Sequence, residues 1–330
     1  MNSSTSYLGL NLSTPVVVGA SPFTDNAESA RELQDAGAGA VVMRSLFEEQ
    51  IYLNEVHGEG RPGSRTEIEA EQDAYFPSLS EYQQSPDQYL RQIAYLKSSL
   101  VIPVIASLNG CHPGGWLDYA RRIEAAGADA IELNLYHIST DPDWSALDIE
   151  AEMLETVRQL KMSIRIPLAV KLSPFHTSLA HFSRELVRRG ADGIVIFNRF
   201  YQPEIKVGEP GPESQLHLSD SGELLLRARW ISILASRVRC SLAVTGGVHS
   251  SGDVIKAILA GADTVQVVSV LLKQGPHFLA IIIQGLQKWM KECGYENLGQ
   301  FRGALNFDRC PDAAAFERGH YQRLLQSWRV

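Results

Sequence analysis

Eight short runs of apolar, largely β-branched residues recur along this 330-residue chain, and they constrain its fold more than any other feature. Each run is continuously hydrophobic, without the polar alternation of a strand that has one solvated face. Strands that are covered on both faces have this pattern. The runs span residues 15–21, 39–45, 101–109, 129–134, 166–173, 193–198, 241–247 and 263–269.

Segments with helical spacing, such as residues 115–127 and 177–190, separate the runs. An internal repeat supports the alternation, because four junctions share a helix that ends at glycine, a small residue and then a strand. Glycine ends a helix in a left-handed conformation without a Cβ penalty. The pattern predicts a single-domain (β/α)8 barrel over residues 1–310, with a long loop or lid after the second strand at 46–84, and a C-terminal tail at 311–330.

Charge and composition exclude several classes of function. The net charge of −8 and a pI near 5.6 argue against a nucleic-acid partner, which would need clustered Lys and Arg. The four cysteines are widely separated, so no zinc or iron–sulfur motif and hence no metal site is predicted. No signal peptide and no membrane-spanning run is recognised, and a cytoplasmic location is expected.

Polar side chains stand where the predicted strands end. Asn134, Lys171 and Asn198 each follow an apolar run, and capping of the next helix does not explain a carboxamide or an ammonium there. Catalytic and binding groups of such barrels collect at the carboxyl ends of the strands. The sequence therefore predicts a site for a polar small molecule at this face.

A phosphate site is predicted beside it. The stretch "TGGVHSSGD" (245–253) follows the seventh strand and "VVSVLL" (267–272) follows the eighth. Glycines let backbone N–H groups approach phosphate oxygens, and the N-terminus of a helix favours negative charge.

Several stretches, in order over nearly the whole chain, resemble the dihydroorotate dehydrogenases, especially the soluble class 1 enzymes of pyrimidine biosynthesis. The resemblance implies an FMN-binding barrel that works as a homodimer, with a separate electron-transfer partner in some relatives. It implies that FMN is held by Ala20, Ser21, Ser45, Asn134 and Lys171, with its phosphate on Gly246, Gly247, Val268 and Ser269. The stretches are "VVVGASPF", "VVMRS", "IELN", "PLAVKLSP", "IVIFN", residues 243–269 and "GYENLGQFRGAL".

The chain departs from the family's pattern where the substrate would bind. The family uses a cysteine base to remove a proton while a hydride passes to the flavin, but "NLYHIS" (134–139) carries His137 at that position. An imidazole suits proton abstraction near neutral pH, so His137 is the candidate base. Packing of His137 in the loop is the alternative, and Tyr136 or Cys111 would then be the other candidates.

The remaining substrate groups that the resemblance implies are Arg44, which replaces a lysine, together with Asn134 and Asn198. The predicted function is an FMN-dependent dehydrogenase acting on dihydroorotate or a related cyclic or unsaturated compound. Two alternatives remain open: a flavin- or phosphate-binding barrel that serves as a subunit or sensor, and a barrel enzyme for phosphorylated sugars without flavin.

Overall fold

The computed structural model of the chain describes residues 1–57, 84–110, 116–199, 204–205, 212–213, 217–310 and 320–327. Eight parallel strands close into a barrel in which each strand pairs with the next and the last pairs with the first. The strands are β1 (Val16–Val18), β2 (Val41–Phe47), β3 (Val104–Asn109), β4 (Ala130–Asn134), β5 (Leu168–Leu172), β6 (Gly193–Ile196), β7 (Ser241–Thr245) and β8 (Thr264–Val267). All eight predicted strands are confirmed.

Helices follow the strands around the outside of the barrel. They are α1 (Ala27–Asp35), α2 (Glu48–His57), α3 (Pro86–Ser99), α4 (Trp116–Ala125), α5 (Ala146–Ser163), α6 (Leu179–Arg188), α7 (Leu224–Leu234), α8 (Ser251–Ala260), α9 (Ser269–Gln274), α10 (Phe278–Glu292) and α11 (His320–Ser327). Over the described part of the chain, no helix has the length and apolar character needed to cross a membrane.

The predicted glycine junctions are confirmed at the ends of four helices. Gly37, Gly127, Gly190 and Gly261 have φ angles of 101°, 99°, 103° and 124°. Side chains with a Cβ rarely adopt this left-handed region, so glycine is the residue that lets each helix turn back into the barrel.

The core has two layers. Side chains that point outward from the strands pack against the helices, while small and branched side chains such as Val17, Ile105 and Val195 fill the interior. A hairpin of Thr5–Tyr7 and Leu10–Leu12 packs Tyr7, Leu8 and Leu12 against this inner layer. The backbone N–H of Leu8 donates to Ser241 Oγ at the start of β7, so the hairpin closes the amino end of the barrel. The sequence analysis did not predict it.

The predicted loop at 46–84 needs correction in its first part. Strand β2 continues to Phe47, and α2 begins at once and runs to His57. Residues 58–83 lie outside the described residues, so the lid stays a prediction. The predicted tail likewise contains α11, and a two-stranded hairpin of Glu204–Ile205 and Pro212–Glu213, which was not predicted, lies between β6 and α7.

Candidate active site at the carboxyl end of the barrel

A cavity of about 570 Å³ opens at the carboxyl ends of the barrel strands. It is lined by all of the residues predicted to bind cofactor or substrate: Ala20, Ser21, Arg44, Ser45, Asn134, Lys171, Asn198, Gly246, Gly247, Val268 and Ser269. His137 is not among its described lining residues, whereas its neighbour Tyr136 is. The structure therefore brings together residues from seven different strands or strand ends in one place.

The Asn134 carboxamide is held in one orientation. Its Nδ2 donates to Ser45 Oγ at 2.8 Å, to Ser107 Oγ at 3.0 Å and to the Leu108 carbonyl at 3.3 Å. Its buried Oδ1 has no hydrogen-bond partner among the described residues. The side chain is thus an acceptor fixed in place for a ligand's N–H or O–H group.

Ser107 is itself held by Tyr89 of α3. The Tyr89 hydroxyl donates to the Ser107 carbonyl at 3.0 Å and accepts from the Ser107 N–H at 2.8 Å. Burial raises the pKa of Tyr89 well above its usual value, which keeps the hydroxyl protonated as this donor. Helix α3 therefore holds Ser107 in place through Tyr89, and the Ser107 hydroxyl in turn accepts a hydrogen bond from Asn134.

Beneath the cavity, the Lys171 ammonium lies 3.2 Å from Oε1 of Glu132. Glu132 is fully buried, and its Oε2 accepts a hydrogen bond from Gln266 Nε2. The Gln266 Oε1 is buried and lacks a partner within the described part of the chain, and Gln266 lines the cavity. Lys171, which the resemblance implies as a cofactor-binding residue, is thus paired with a buried carboxylate of the chain itself.

The sequence analysis did not single out Glu132 and Gln266. Glu132 lies in the quoted motif "IELN" and Gln266 lies in the quoted range 243–269, and both are polar residues within apolar strands. Alternate residues of a strand point to the same side, so Glu132 shares its side with Asn134, and Gln266 shares its side with Thr264 and Val268. This spacing is the signal that could have identified them.

The predicted phosphate cradle is a turn of positive φ at the end of β7. Gly246 and Gly247 have φ angles of 84° and 78°. A Cβ on Gly247 would lie 2.3 Å from the backbone nitrogen of Leu224, and one on Gly246 would lie 2.7 Å from the Arg227 guanidinium. Only glycine fits at both positions.

Ser219 completes the cradle and was missed by the sequence analysis. Its N–H donates to Ser269 Oγ at 3.2 Å, and its hydroxyl accepts from the Gly247 N–H at 3.5 Å and lies 3.0 Å from His249 Nε2. Its carbonyl accepts from the Lys273 ammonium at 2.8 Å. These contacts join the segment that follows the hairpin of Glu204–Ile205 and Pro212–Glu213 to the ends of β7 and β8.

Two arginines at the mouth of the cavity are paired with carboxylates. Arg44 Nε lies 2.8 Å from Asp25 Oδ1, and an Arg199 nitrogen lies 3.5 Å from Glu223 Oε1. These pairs reduce the net positive charge that a ligand meets at the mouth. Substrate recognition by Arg44 stays a prediction.

His137 lies in the loop after β4. Its ring stacks on Trp144 with centroids 6.4 Å apart and an angle of 29° between the planes. Tyr136, one residue earlier, faces the cavity. Cys111 lies outside the described residues, and the choice of base among the three stays a prediction.

No cluster of three or more His, Cys, Asp or Glu side chains with metal-binding geometry is found in the described ranges. The fold and site together define a barrel enzyme with a cavity at the carboxyl ends of its strands that is lined by both polar and apolar residues.

Comparison with known proteins identifies the family of barrel enzymes to which the chain belongs. The sequence model of the dihydroorotate dehydrogenase family matches residues 2–290, and the chain belongs to this family of oxidoreductases that act on CH–CH donors in pyrimidine biosynthesis.

Similarity to individual members extends over most of the chain. Dihydroorotate dehydrogenase A (fumarate) of Lactobacillus delbrueckii subsp. bulgaricus is 24% identical over 321 residues, which cover 93% of this chain and 100% of the relative. The protein of the same name from Lactobacillus helveticus is 26% identical over 217 residues, 63% of this chain and 69% of the relative. Dihydroorotate dehydrogenase B (NAD(+)), catalytic subunit, of Methanosarcina mazei is 26% identical over 302 residues, 89% of this chain and 92% of the relative.

Proposed function

We propose that this protein is an FMN-dependent dehydrogenase that oxidises dihydroorotate or a related cyclic or unsaturated compound. The observation that carries the proposal is a set of buried polar atoms that lack partners among the described residues and belong to side chains lining one cavity. They are Ser21 Oγ, Asn134 Oδ1 and Gln266 Oε1. Buried polar groups are normally hydrogen-bonded, so such a set indicates a ligand or ordered water.

The donor and acceptor set fits a flavin. The pyrimidine edge of the ring system offers carbonyl oxygens and one N–H group. Lys171 supplies a cationic donor, Ser21 a hydroxyl, and Asn134 and Gln266 supply oriented acceptors. The phosphate would be held by the backbone at Gly246, Gly247, Val268 and Ser269, which line the cavity where the glycine turn packs closely against Arg227 and Leu224.

Bound FMN would accept the hydride, and the chain's own residues would supply orientation and proton transfer. Ala20 and Ser45 would contact the ring, while Arg44, Asn134 and Asn198 would hold the substrate's polar groups. His137 or, through its position in the cavity, Tyr136 would take the proton that leaves carbon. Rotation of the loop after β4 would be needed to bring His137 into the cavity from its stacked position on Trp144.

The first test is an anaerobic visible spectrum of the purified protein before and after dihydroorotate is added. A yellow protein that bleaches is the expected result. A yellow protein that keeps its colour would favour the second candidate function, a flavin-binding barrel without this activity, which is motivated by the histidine in place of the family's cysteine. A colourless protein that does not take up FMN would contradict both functions.

The name of the Methanosarcina mazei relative describes a catalytic subunit. We propose by analogy that a separate electron-transfer protein accepts the electrons from this chain, and that the chain is a cytoplasmic homodimer. Sedimentation of the purified protein, alone and co-expressed with candidate electron-transfer proteins, would test the homodimer and the proposed partner.

A further inference from the structure

The cavity floor contains a carboxylate that the proposed reaction does not use. Glu132 on β4 is 0% exposed and Lys171 on the neighbouring strand β5 is 8% exposed. Asn134 pairs with Lys171 in register across the two strands, so Glu132 lies one inward-facing layer below them. The Lys171 side chain therefore reaches down and across to meet it at 3.2 Å.

The second oxygen of this carboxylate is held from the far side of the barrel. Gln266 lies on β8, which is four strands away from β4 in either direction around the closed barrel. Its Nε2 nevertheless donates to Glu132 Oε2, so the hydrogen bond spans the barrel and the carboxylate lies near its axis.

A buried carboxylate is costly unless it is paired and hydrogen-bonded. Here, one oxygen of Glu132 accepts from the ammonium and the other accepts from the carboxamide. Its charge also acts on groups nearby, because the pKa of the buried Tyr7 hydroxyl is raised first by burial and then by Glu132. The pairing fixes the position of the Lys171 ammonium at the cavity floor.

We infer that Glu132 and Gln266 are positioning residues for Lys171: Gln266 fixes the carboxylate on the barrel axis, and the carboxylate orients the ammonium toward the polar edge of the bound ring. This inference rests on the proposed FMN site. Gln266 has a second part in it, since its buried Oε1 lacks a partner within the described ranges and the residue lines the same cavity.

The test is a double-mutant cycle on FMN binding to the apoprotein, read from the quenching of flavin fluorescence. Lys171→Met should weaken binding about 100-fold and Glu132→Gln about tenfold, as the loss of charge-assisted hydrogen bonds implies. In the Lys171→Met background, Glu132→Gln should add no further loss, because its effect passes through Lys171.

A spectroscopic readout separates positioning from general loosening of the barrel. The visible absorption band of bound flavin should shift in the same direction in Glu132→Gln as in Lys171→Met, because both remove the same contact at the ring edge. Thr264→Val is the matched control, since Thr264 is buried on β8 two residues before Gln266 and does not line the cavity. It should leave both the affinity and the band unchanged.

A second cycle does not depend on the folding of the Lys171 variant. Gln266→Met should weaken binding severalfold in the wild type and by less when Glu132 is already Gln, because only the contribution of Gln266 Oε1 then remains to be lost. Wild-type affinity and spectrum in Glu132→Gln, or an equal loss with and without Lys171, would overturn the inference while the FMN site stands. Failure of the wild type to bind FMN would overturn the proposed function and this inference together.

Discussion

The floor and the rim of the cavity are built in different ways. The floor comprises Ser45, Ser107, Glu132, Asn134, Lys171 and Gln266, whose side chains project inward from the barrel strands and bond to one another. The rim comprises Arg44 on β2 and the loop residues Tyr136, His137 and Arg199; the two arginines pair with local carboxylates, and His137 stacks on Trp144 beside the cavity. Strand register fixes the floor, whereas the rim can change without moving a strand.

This difference explains where the chain departs from its family's pattern. The floor residues that the resemblance implied are all present and line or underlie one cavity. The departures, His137 and Arg44, both lie in the rim. If the floor holds the cofactor and the rim supplies the base, as proposed, variants in the two parts should have separable effects.

The largest effect is expected from removing the floor cation. Lys171→Ala should abolish flavin retention during purification, and it should also lower the stability of the apoprotein by about 3–5 kcal/mol, because Glu132 is left as a buried charge without its ion pair. Flavin content and thermal unfolding would measure the two effects. Lys288→Met, at an exposed lysine on α10, is the control and should change neither.

Asn134→Ala should also weaken flavin retention, by about tenfold or more, because it removes an oriented acceptor and leaves the Ser45 and Ser107 hydroxyls to rearrange. The dissociation constant for FMN would measure it. Unchanged affinity would mean that the floor is not where the ring binds.

The glycine turn should be the next most sensitive position. Gly247→Ala should reduce FMN affinity and cost about 1–3 kcal/mol of stability, because its φ of 78° is unfavourable for alanine and the new Cβ would meet the Leu224 backbone. Gly252→Ala is a matched control five residues away in α8, where the nearest contact of a new Cβ would be an ordinary 3.5 Å. Equal flavin binding in the two variants would contradict the assigned cradle.

A rim variant should separate chemistry from cofactor binding. His137→Ala should keep the flavin and slow its bleaching by substrate, by about 100-fold if His137 is the general base. Tyr136→Phe is the comparison, since it removes the hydroxyl of a residue that lines the cavity but leaves His137 in place. If substrate reduces the flavin of His137→Ala as fast as that of the wild type, the base would be Tyr136 or Cys111.

The smallest effect is expected outside the cavity and sets the background for pH measurements. Burial lowers the pKa of His176, whose ring stacks on Phe182 at 4.5 Å, although Glu150 partly opposes this shift. The unfolded chain therefore binds this proton first as pH falls. The contribution of neutral His176 to the free energy of unfolding is fully present above about pH 6.5. It decreases as the pH falls toward the lowered pKa of His176 in the folded protein. In His176→Gln, the difference between the free energies of unfolding measured by chemical denaturation at pH 7 and pH 5 should be smaller than in the wild type. An unchanged difference would contradict this prediction.

The sequence by itself determined the barrel and most of its site. Eight doubly buried apolar runs and four glycine junctions allow few arrangements other than alternating strands and helices, and a closed parallel barrel places all carboxyl strand ends at one face. Residues such as Asn134, Lys171 and Gly246 could therefore be assigned to one cavity before any distance was known.

The tertiary structure alone decided contacts between elements that are far apart in sequence. The Gln266–Glu132 hydrogen bond joins residues 134 positions apart, and Ser219 reaches the cradle through partners 28 to 54 residues away. The hairpin that closes the amino end of the barrel was missed because its strands are only three residues long. Periodicity reports which face of one element is buried, but which side chains meet across the barrel axis depends on how strands are staggered and closed, and that information resides in the folded chain.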